Sequence, residues 1–131
     1  MSMNKIKINI DYSKKIITID ILGKINNNTI CGYNNEIDNE LKKIIELHDV
    51  NLNGWRFNIY TCHMIIYKED MKHFKSLLDY TLNLNFKMLD IITAIPQKLY
   101  KSWITNLINK NFNDRHIKVL STNKIFKFKI N

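Results

Sequence analysis

The stretch Trp55-Arg56-Phe57-Asn58-Ile59-Tyr60-Thr61, residues 55–61, is the part of the sequence that decides the fold. Apolar and polar side chains alternate along it, and a period of two residues is typical of a β-strand with one buried face. Segments of helical periodicity lie on both sides of it, and strands that alternate with helices indicate an α/β domain. We therefore predict a central strand over residues 55–61.

Two strands are predicted before this one. Residues 5–10 alternate Lys or Asn with Ile, and residues 16–22 form an Ile-rich run that ends at Gly23. The polar residues 11–15 between them have the composition of a turn, so the two strands are expected to form a hairpin. Residues 24–32 are predicted to be a polar connector with room for one further short strand.

Three segments repeat their apolar residues every three or four positions, which is the period of an amphipathic helix. They span about residues 34–48, 69–84 and 97–112, and each is expected to pack one stripe against the sheet. The predicted stripes are Ile37, Leu41, Ile44, Ile45 and His48 in the first helix, Met71, Phe74, Leu77, Leu78, Thr81 and Leu82 in the second, and Leu99, Trp103, Leu107, Ile108 and Phe112 in the third.

The rest of the chain completes the predicted sheet. Residues 86–95 are typical of a buried strand, residues 117–120 of a short strand and residues 125–130 of a closing strand. The resulting order is β-β-α-β-α-β-α-β-β, a single α/β domain over residues 1–131 with a mixed sheet of about five to six strands, three helices and two or three layers. We expect parallel pairs in the middle of the sheet and antiparallel pairs at its edges.

The net charge of +8 suggests an anionic partner, but the composition supplies a simpler explanation. The chain has 23 Ile, 19 Asn and 18 Lys, all amino acids with A/T-rich codons, and its only arginines are Arg56 and Arg115. Nucleic-acid recognition relies on the planar guanidinium of Arg more than on Lys. A nucleic-acid or other anionic-surface partner therefore stays an alternative and is not the favoured interpretation.

The positive charge is concentrated at the two ends of the chain. Residues 1–32 carry a net charge of +3, residues 33–90 of −2 and residues 91–131 of +7. If the two ends meet in the fold, they form one basic side. The lysines of the first and last predicted strands also suit sheet edges, where they discourage aggregation: Lys5, Lys7, Lys127 and Lys129.

The sequence lacks the motifs of the common cofactor and metal enzymes. With three glycines, it has neither a dinucleotide-binding nor a P-loop glycine pattern. Its cysteines and histidines show neither Cys-x-x-Cys nor His-x-x-x-His spacing, so no metal site is predicted. No pair of carboxylates is signalled for general acid–base catalysis. We therefore predict no cofactor, no catalytic residue and no enzymatic activity.

Cys62 keeps one enzymatic alternative open, a small cysteine-dependent enzyme. It follows the central strand, and α/β proteins gather functional residues at the carboxyl ends of their strands. A thiol nucleophile needs a lowered pKa and a base, which His48, His73 or His116 would have to supply. A small, half-buried structural cysteine is the favoured interpretation.

No targeting or membrane-spanning segment is predicted. The N-terminus lacks the apolar core of a signal peptide, and the apolar runs are far shorter than the roughly 20 residues of a spanning helix. Without a secretory signal, Cys31 and Cys62 are expected to be free thiols in a reducing compartment. The expected location is therefore the cytoplasm.

The order of elements and several residues resemble the STAS domain of anti-sigma-factor antagonists over about residues 4–120. The shared features are a hairpin whose second strand ends in Gly23-Lys24-Ile25, the strand at 55–61, a loop into the second helix, and a strand at 87–94 before the third helix. In that family, the loop before the second helix carries a phosphorylatable Ser or Thr beside an Asp. Here only Thr61 could stand in for it, and the Asp and Gly of the family pattern are missing.

This resemblance implies a non-enzymatic regulatory or binding module that acts through protein–protein contacts or on a small apolar ligand. The implied working surface is the loop at 61–68 together with the start of the second helix. The apolar run at 64–67 either forms an apolar lip for a ligand or packs as core. A protein partner is expected, and a homodimer is compatible with the pattern. The residues of this predicted surface are Thr61, Cys62, His63, Met64, Ile65, Glu69, Asp70 and Lys72.

Overall fold

Strands and helices alternate along the chain much as the sequence patterns predict. The structure, a computed structural model, describes residues 4–48, 51–112 and 116–123. Its strands are β1 (Lys5–Asp11), β2 (Ile16–Lys24), β3 (Arg56–Tyr60), β4 (Met64–Ile65), β5 (Met88–Ala94) and β6 (Ile117–Thr122). Its helices are α1 (Ile30–His48), α2 (Met71–Leu82) and α3 (Lys98–Asn111), with 3-10 turns at Leu52–Gly54 and Lys68–Asp70.

The strands of the described residues form one mixed sheet in the order β1-β2-β3-β5-β6, with the short β4 paired to the end of β2. β1 runs antiparallel to β2, whereas β2, β3, β5 and β6 are parallel to one another. The register places Ile19 beside Ile59, and Ile59 beside Ile91. The predicted α/β class and mixed sheet are confirmed. An antiparallel edge is present at β1, and β6 pairs in parallel with β5. The strand expected to form the antiparallel pair at the other edge, residues 125–130, lies outside the described residues.

All three helices lie on one face of the sheet, so the domain has two layers. The chain crosses from β2 to β3, from β3 to β5 and from β5 to β6, and each crossover adds the next strand on the same side of the previous one. Because such crossovers are right-handed, they place all three helices on the same face of the sheet. Contacts between α1 and α2 and between α2 and α3 agree with this arrangement. The core between the layers includes Ile17, Ile19, Ile21, Phe57, Ile59, Leu89 and Ile91 of the sheet, and Ile37, Leu41, Ile44, Phe74, Leu77, Leu78 and Ile104 of the helices.

Helix α1 begins at Ile30, earlier than the predicted start at about residue 34. The reason lies in the connector before it. The Thr29 hydroxyl accepts a hydrogen bond from the Asn26 N–H at 3.0 Å and donates one to the Lys24 carbonyl at 2.9 Å. The Asn26 side chain in turn accepts from the N–H of Asn28 at 2.9 Å. These bonds satisfy polar groups at the helix start, so the connector holds no further strand.

Two residues predicted to be in the core are exposed. Leu99 is 67% exposed, because it lies about 140° around α3 from the fully buried Ile104 at 3.6 residues per turn. Ile45 is 43% exposed at the edge of the α1 stripe. The stripe predicted for α2 is confirmed, since Met71 and Phe74 and the residues that follow on the same face are buried or partly buried.

The basic ends of the chain do not form one side within the described residues. β1, with Lys5 and Lys7, is one edge strand of the sheet, and β6 lies at the opposite edge. The expected lysine-bearing outer strand is thus present at β1. The closing strand predicted at 125–130 and the side chain of His48 lie outside what the structure describes. None of the described helices combines the length and the apolar character needed to cross a bilayer.

Candidate functional site at the carboxyl edge of the sheet

The carboxyl ends of the parallel strands lie together at one edge of the sheet, here named the carboxyl edge, where α/β folds place functional residues. Gly23, near the end of β2, has a φ of 114°, a conformation that favours glycine. Its N–H donates to the His63 carbonyl at 3.2 Å, and the N–H of Ile25 donates to the Ile65 carbonyl at 3.0 Å. These bonds hold β4 beside β2 and fix the segment that follows β3.

This segment alternates between core and surface. Thr61, Met64 and Ile66 are buried, and the Thr61 hydroxyl donates to a main-chain carbonyl of β5 at 3.2 Å. Ile65 and Tyr67 are 46% and 59% exposed. Two residues of the predicted surface, Thr61 and Met64, are thus buried, Thr61 through its hydrogen bond to β5 and Met64 in the strand β4 that pairs with β2. The apolar run is therefore part core and part surface.

The other predicted surface residues occupy two places. Cys62 is half-buried and His63 is exposed, and both line a cleft at the carboxyl edge. Glu69 and the half-buried Asp70 lie in the 3-10 turn that precedes α2, and Lys72 is exposed in the first turn of that helix. The structure thus brings Cys62 and His63 together at the cleft, and the three charged residues lie outside its described lining.

The cleft has a volume of about 590 Å³ and lies between the ends of β3, β5 and β6. Apolar side chains of the β5–α3 turn form one wall, and Ile95 in this wall is 49% exposed. A volume of this size is within the usual range for small-molecule sites. The described residues that line the cleft are Cys62, His63, Ala94, Ile95, Pro96, Gln97, Thr122 and Asn123.

Gln97 ties together the two turns that form the cleft. Its amide nitrogen donates to the carbonyls of Thr61 at 3.0 Å and Cys62 at 3.2 Å. Its side-chain oxygen accepts from the N–H of Ala94 at 2.9 Å. Sequence reasoning missed this residue, because its partners are far away along the chain. The only local signal is Pro96, which marks the start of α3.

A buried carboxyl group lies behind His63. Asp20 in β2 is 2% exposed, and its Oδ2 lies 3.5 Å from His63 Nδ1. Within the described part of the chain, the second oxygen of Asp20 has no hydrogen-bond partner. Burial raises the pKa of Asp20, and this effect outweighs the opposite influence of His63 and Lys7. Asp20 was not among the predicted site residues, since a lone acidic residue in a strand gives no motif.

The chemistry of Cys62 does not suit nucleophilic catalysis. Burial, together with the negative charge of Asp20, raises the pKa of the Cys62 thiol above its ordinary value. A nucleophilic cysteine requires the opposite shift. Among residues 4–48, 51–112 and 116–123, no group of three or more His, Cys, Asp or Glu side chains is placed to hold a metal ion.

Comparison with known proteins bears on the fold. No protein-family model matches this chain, and no curated protein matches it. Among solved structures, it is similar to an uncharacterized protein of the DUF3478 family with a SpoIIAA-like fold from Shewanella loihica PV-4. The match has a TM-score of 0.56 at 17% sequence identity and covers 98% of this chain and 91% of that chain. This chain has a SpoIIAA-like fold. The suspected STAS-like fold is thereby confirmed, and at this identity the likeness concerns the fold alone.

Proposed function

We propose that this chain is a non-enzymatic binding module of STAS-like type that takes a protein partner at its carboxyl edge. The observation that carries this proposal is a set of exposed apolar side chains at that edge. Ile65 and Tyr67 project from the β4 segment, and Ile95 and Leu99 from the β5–α3 turn and the start of α3. Clustered apolar exposure of this kind is characteristic of interaction sites.

The backbone at this edge is held in place, which favours a preformed surface. The N–H of Ile66 donates to the Tyr100 hydroxyl at 3.2 Å, so the β4 segment is attached to α3. Gln97 attaches the end of β3 to the β5–α3 turn. A surface that is rigid before binding loses less conformational entropy when the partner docks. We therefore take Ile65, Tyr67, Ile95 and Leu99 as the apolar centre, with His63, Glu69 and Lys72 as its polar surroundings.

A small apolar ligand is a second candidate for the same edge. The observation in its favour is the cleft of about 590 Å³, whose wall includes Ala94, Ile95 and Pro96. Such a ligand would bury apolar surface in the cleft while Gln97 keeps its walls together. The two candidates make different predictions, since a ligand in the cleft does not need Tyr67.

The two rival functions are less well supported. For a nucleic-acid partner, the lysine-bearing β1 and the C-terminal β6 lie at opposite sheet edges, so these strands offer no common basic face in the described part of the chain. For a cysteine-dependent enzyme, burial and the negative charge of Asp20 raise the pKa of the Cys62 thiol, which is opposite to the shift that activates a nucleophilic cysteine.

The partner surface can be tested by affinity purification from the native host followed by quantitative mass spectrometry. The baits are the wild type, the double variant Ile65→Ser with Tyr67→Ser, and the control Ile45→Ser. Ile45 is an exposed apolar residue of α1. Ile45→Ser therefore makes the same kind of change in side-chain chemistry outside the proposed surface. We expect at least one protein to be recovered in equal amounts with the wild-type and control baits. Its recovery with the double variant should be lower by about tenfold or more. Equal recovery by all three baits would count against the proposed surface.

A further inference from the structure

A second recess lies away from the carboxyl-edge cleft, in the groove between α2 and α3. It has a volume of about 420 Å³. Its floor is apolar and consists of Met71, Trp103 and Leu107, of which Met71 is buried and the other two are partly buried. The remaining lining residues are Lys68, Lys72, Lys75, Lys110, Asn106 and Asn111.

The lining residues follow helical spacing on both walls. On one wall, Lys68, Met71, Lys72 and Lys75 recur every three or four positions, and on the other the same holds from Trp103 to Asn111. The α3 stripe spans about 12 Å at 1.5 Å per residue. The groove therefore has the length to accommodate about two turns of another helix.

The charge of the groove is of one sign. Among the described residues, four lysines and no acidic residue line it. Lys75 forms an ion pair with Asp79 at 2.9 Å. Lys68, Lys72 and Lys110 form no ion pair within residues 4–48, 51–112 and 116–123. Unpaired lysines around an apolar floor are complementary to an occupant with an apolar face flanked by carboxylates.

We propose that the α2–α3 groove binds an acidic amphipathic helix of a partner protein. Apolar side chains of that helix would contact Met71, Trp103 and Leu107, and its Asp or Glu side chains would pair with Lys68, Lys72 and Lys110. This surface goes beyond the carboxyl-edge surface proposed above and shares only Lys72 with it. Nucleic acid fits the groove less well, because phosphate recognition does not need a floor of Met, Trp and Leu, and no Arg is among the described residues that line the groove.

The proposal can be tested by selecting from a display library of peptides of about 16 residues, long enough for roughly four helical turns. We expect the wild type to enrich peptides with apolar residues at helical spacing and Asp or Glu on both sides of that stripe. A selected peptide should bind with an affinity that decreases as salt increases, because exposed charge pairs are screened. Its binding should also shift the indole N–H signal of Trp103 in an NMR spectrum.

The decisive variant is Lys68→Glu with Lys110→Glu, and the matched control is Lys14→Glu with Lys87→Glu. All four lysines are exposed, and both double variants change the net charge by the same amount. We expect the groove variant to lose about tenfold or more in peptide affinity and the control to change about twofold or less. Circular dichroism of each variant checks that the fold is retained. Tyr67→Ser, at the carboxyl edge, should leave peptide affinity unchanged.

Three results would overturn the proposal. The first is enrichment of peptides without an acidic character. The second is equal loss of affinity in the groove and control variants, which would indicate a general effect of net charge. The third is an NMR result in which single-stranded RNA or anionic vesicles shift the indole signal of Trp103 and the selected peptides leave it unchanged. That result would assign the groove to another class of partner.

Discussion

Gly23 is the residue on which the geometry of the carboxyl edge depends most directly. Its φ of 114° lies where a Cβ is strained, and its N–H donates to the carbonyl of His63. The strand β2 can therefore continue past this point and pair with β4. A glycine followed by Lys24 and Ile25 at the end of a strand was visible in the sequence, but its conformation was not.

We expect Gly23→Ala to destabilise the fold by about 1–3 kcal/mol, the cost of holding a non-glycine residue in a sparsely populated backbone conformation. The control is Gly32→Ala in the first turn of α1, where an added Cβ meets nothing within 4 Å. That change should be neutral or stabilising by up to about 1 kcal/mol, because Ala has the higher helix propensity. Urea unfolding monitored by circular dichroism measures both. If Gly23→Ala were as stable as the wild type, the role given to this backbone conformation would be wrong.

Asp20 makes the stability of the fold depend on pH in a defined direction. Burial raises its pKa above 3.8, so the unfolded chain releases this proton at a lower pH than the folded chain does. The contribution of Asp20 to stability therefore decreases as pH rises from about 3.8 through the raised folded value. Asp20→Asn should be more stable than the wild type at neutral pH, and this difference should shrink as the pH falls towards 4.

The measurement is a series of urea unfolding curves for both proteins between about pH 4 and pH 7.5. The pKa values of Asp11 and Asp38 are lowered in the fold, so these residues also make the free energy of unfolding depend on pH. Both proteins contain them, so their contributions cancel when the free energy of unfolding of one protein is subtracted from that of the other. A variant that is less stable than the wild type at neutral pH would mean that the attraction between Asp20 and His63 exceeds the cost of burial.

Individual exposures were the least predictable features of the sequence. Helical periodicity placed Met71 and Phe74 in the core correctly. It placed Leu99 there as well, because the spacing of the α3 apolar residues does not show that the buried face is centred near Ile104, about 140° around the helix from Leu99. The family resemblance placed Thr61 on the working surface, whereas its hydroxyl donates to a main-chain carbonyl of β5 and its side chain is buried.

Among the elements, the β5–α3 turn has the clearest structural role. Gln97 at this turn makes three hydrogen bonds, to the carbonyls of Thr61 and Cys62 and from the N–H of Ala94. It therefore joins the segment that follows β3 to the turn that follows β5, which are more than 30 residues apart along the chain. Together with the bonds from the N–H and hydroxyl of Thr61 to the Ile92 carbonyl, this side chain connects the walls of the cleft.

We expect Gln97→Ala to destabilise the protein by about 1–3 kcal/mol, since partly buried carbonyls would lose their donors. The N–H of Ala94 should exchange with solvent faster, which hydrogen exchange measured by NMR would detect. Gln97→Glu is the matched variant, because it keeps the acceptor for Ala94 and loses only the donors. It should leave the exchange of Ala94 closer to that of the wild type. Unchanged exchange in Gln97→Ala would contradict the role proposed for this residue.

Element type and order could be predicted from the sequence, and element ends less well. The three helices and the strands from β1 to β6 were predicted, apart from the two-residue β4, because their periodicity reflects burial on one face. The start of α1 at Ile30 was missed, since the hydrogen bonds of Thr29 and Asn26 that begin it resemble those of any polar turn. Two residues of β4 are too few to produce a period.

At the scale of the whole molecule, the topology separates the chain into surfaces with different character. Because every crossover moves in one direction, the helices cover a single face and the parallel strands end together. This arrangement produces the carboxyl edge with its exposed apolar residues, and it places the α2–α3 groove beside it. The positive charges that give the net charge of +8 are not confined to either of these surfaces. In the described sheet, the lysine-bearing β1 and the strand β6 lie at opposite sides.

The most direct test of a partner at the carboxyl edge is site-specific photo-crosslinking in the native host. A photoreactive phenylalanine analogue replaces Tyr67 in one protein and Ile45 in a second, both exposed positions. We predict a discrete crosslinked species from position 67 that is absent from position 45 and is lost when Ile65→Ser is added. Equal crosslinking from both positions, or none from position 67, would contradict the assignment of the carboxyl edge as the partner surface.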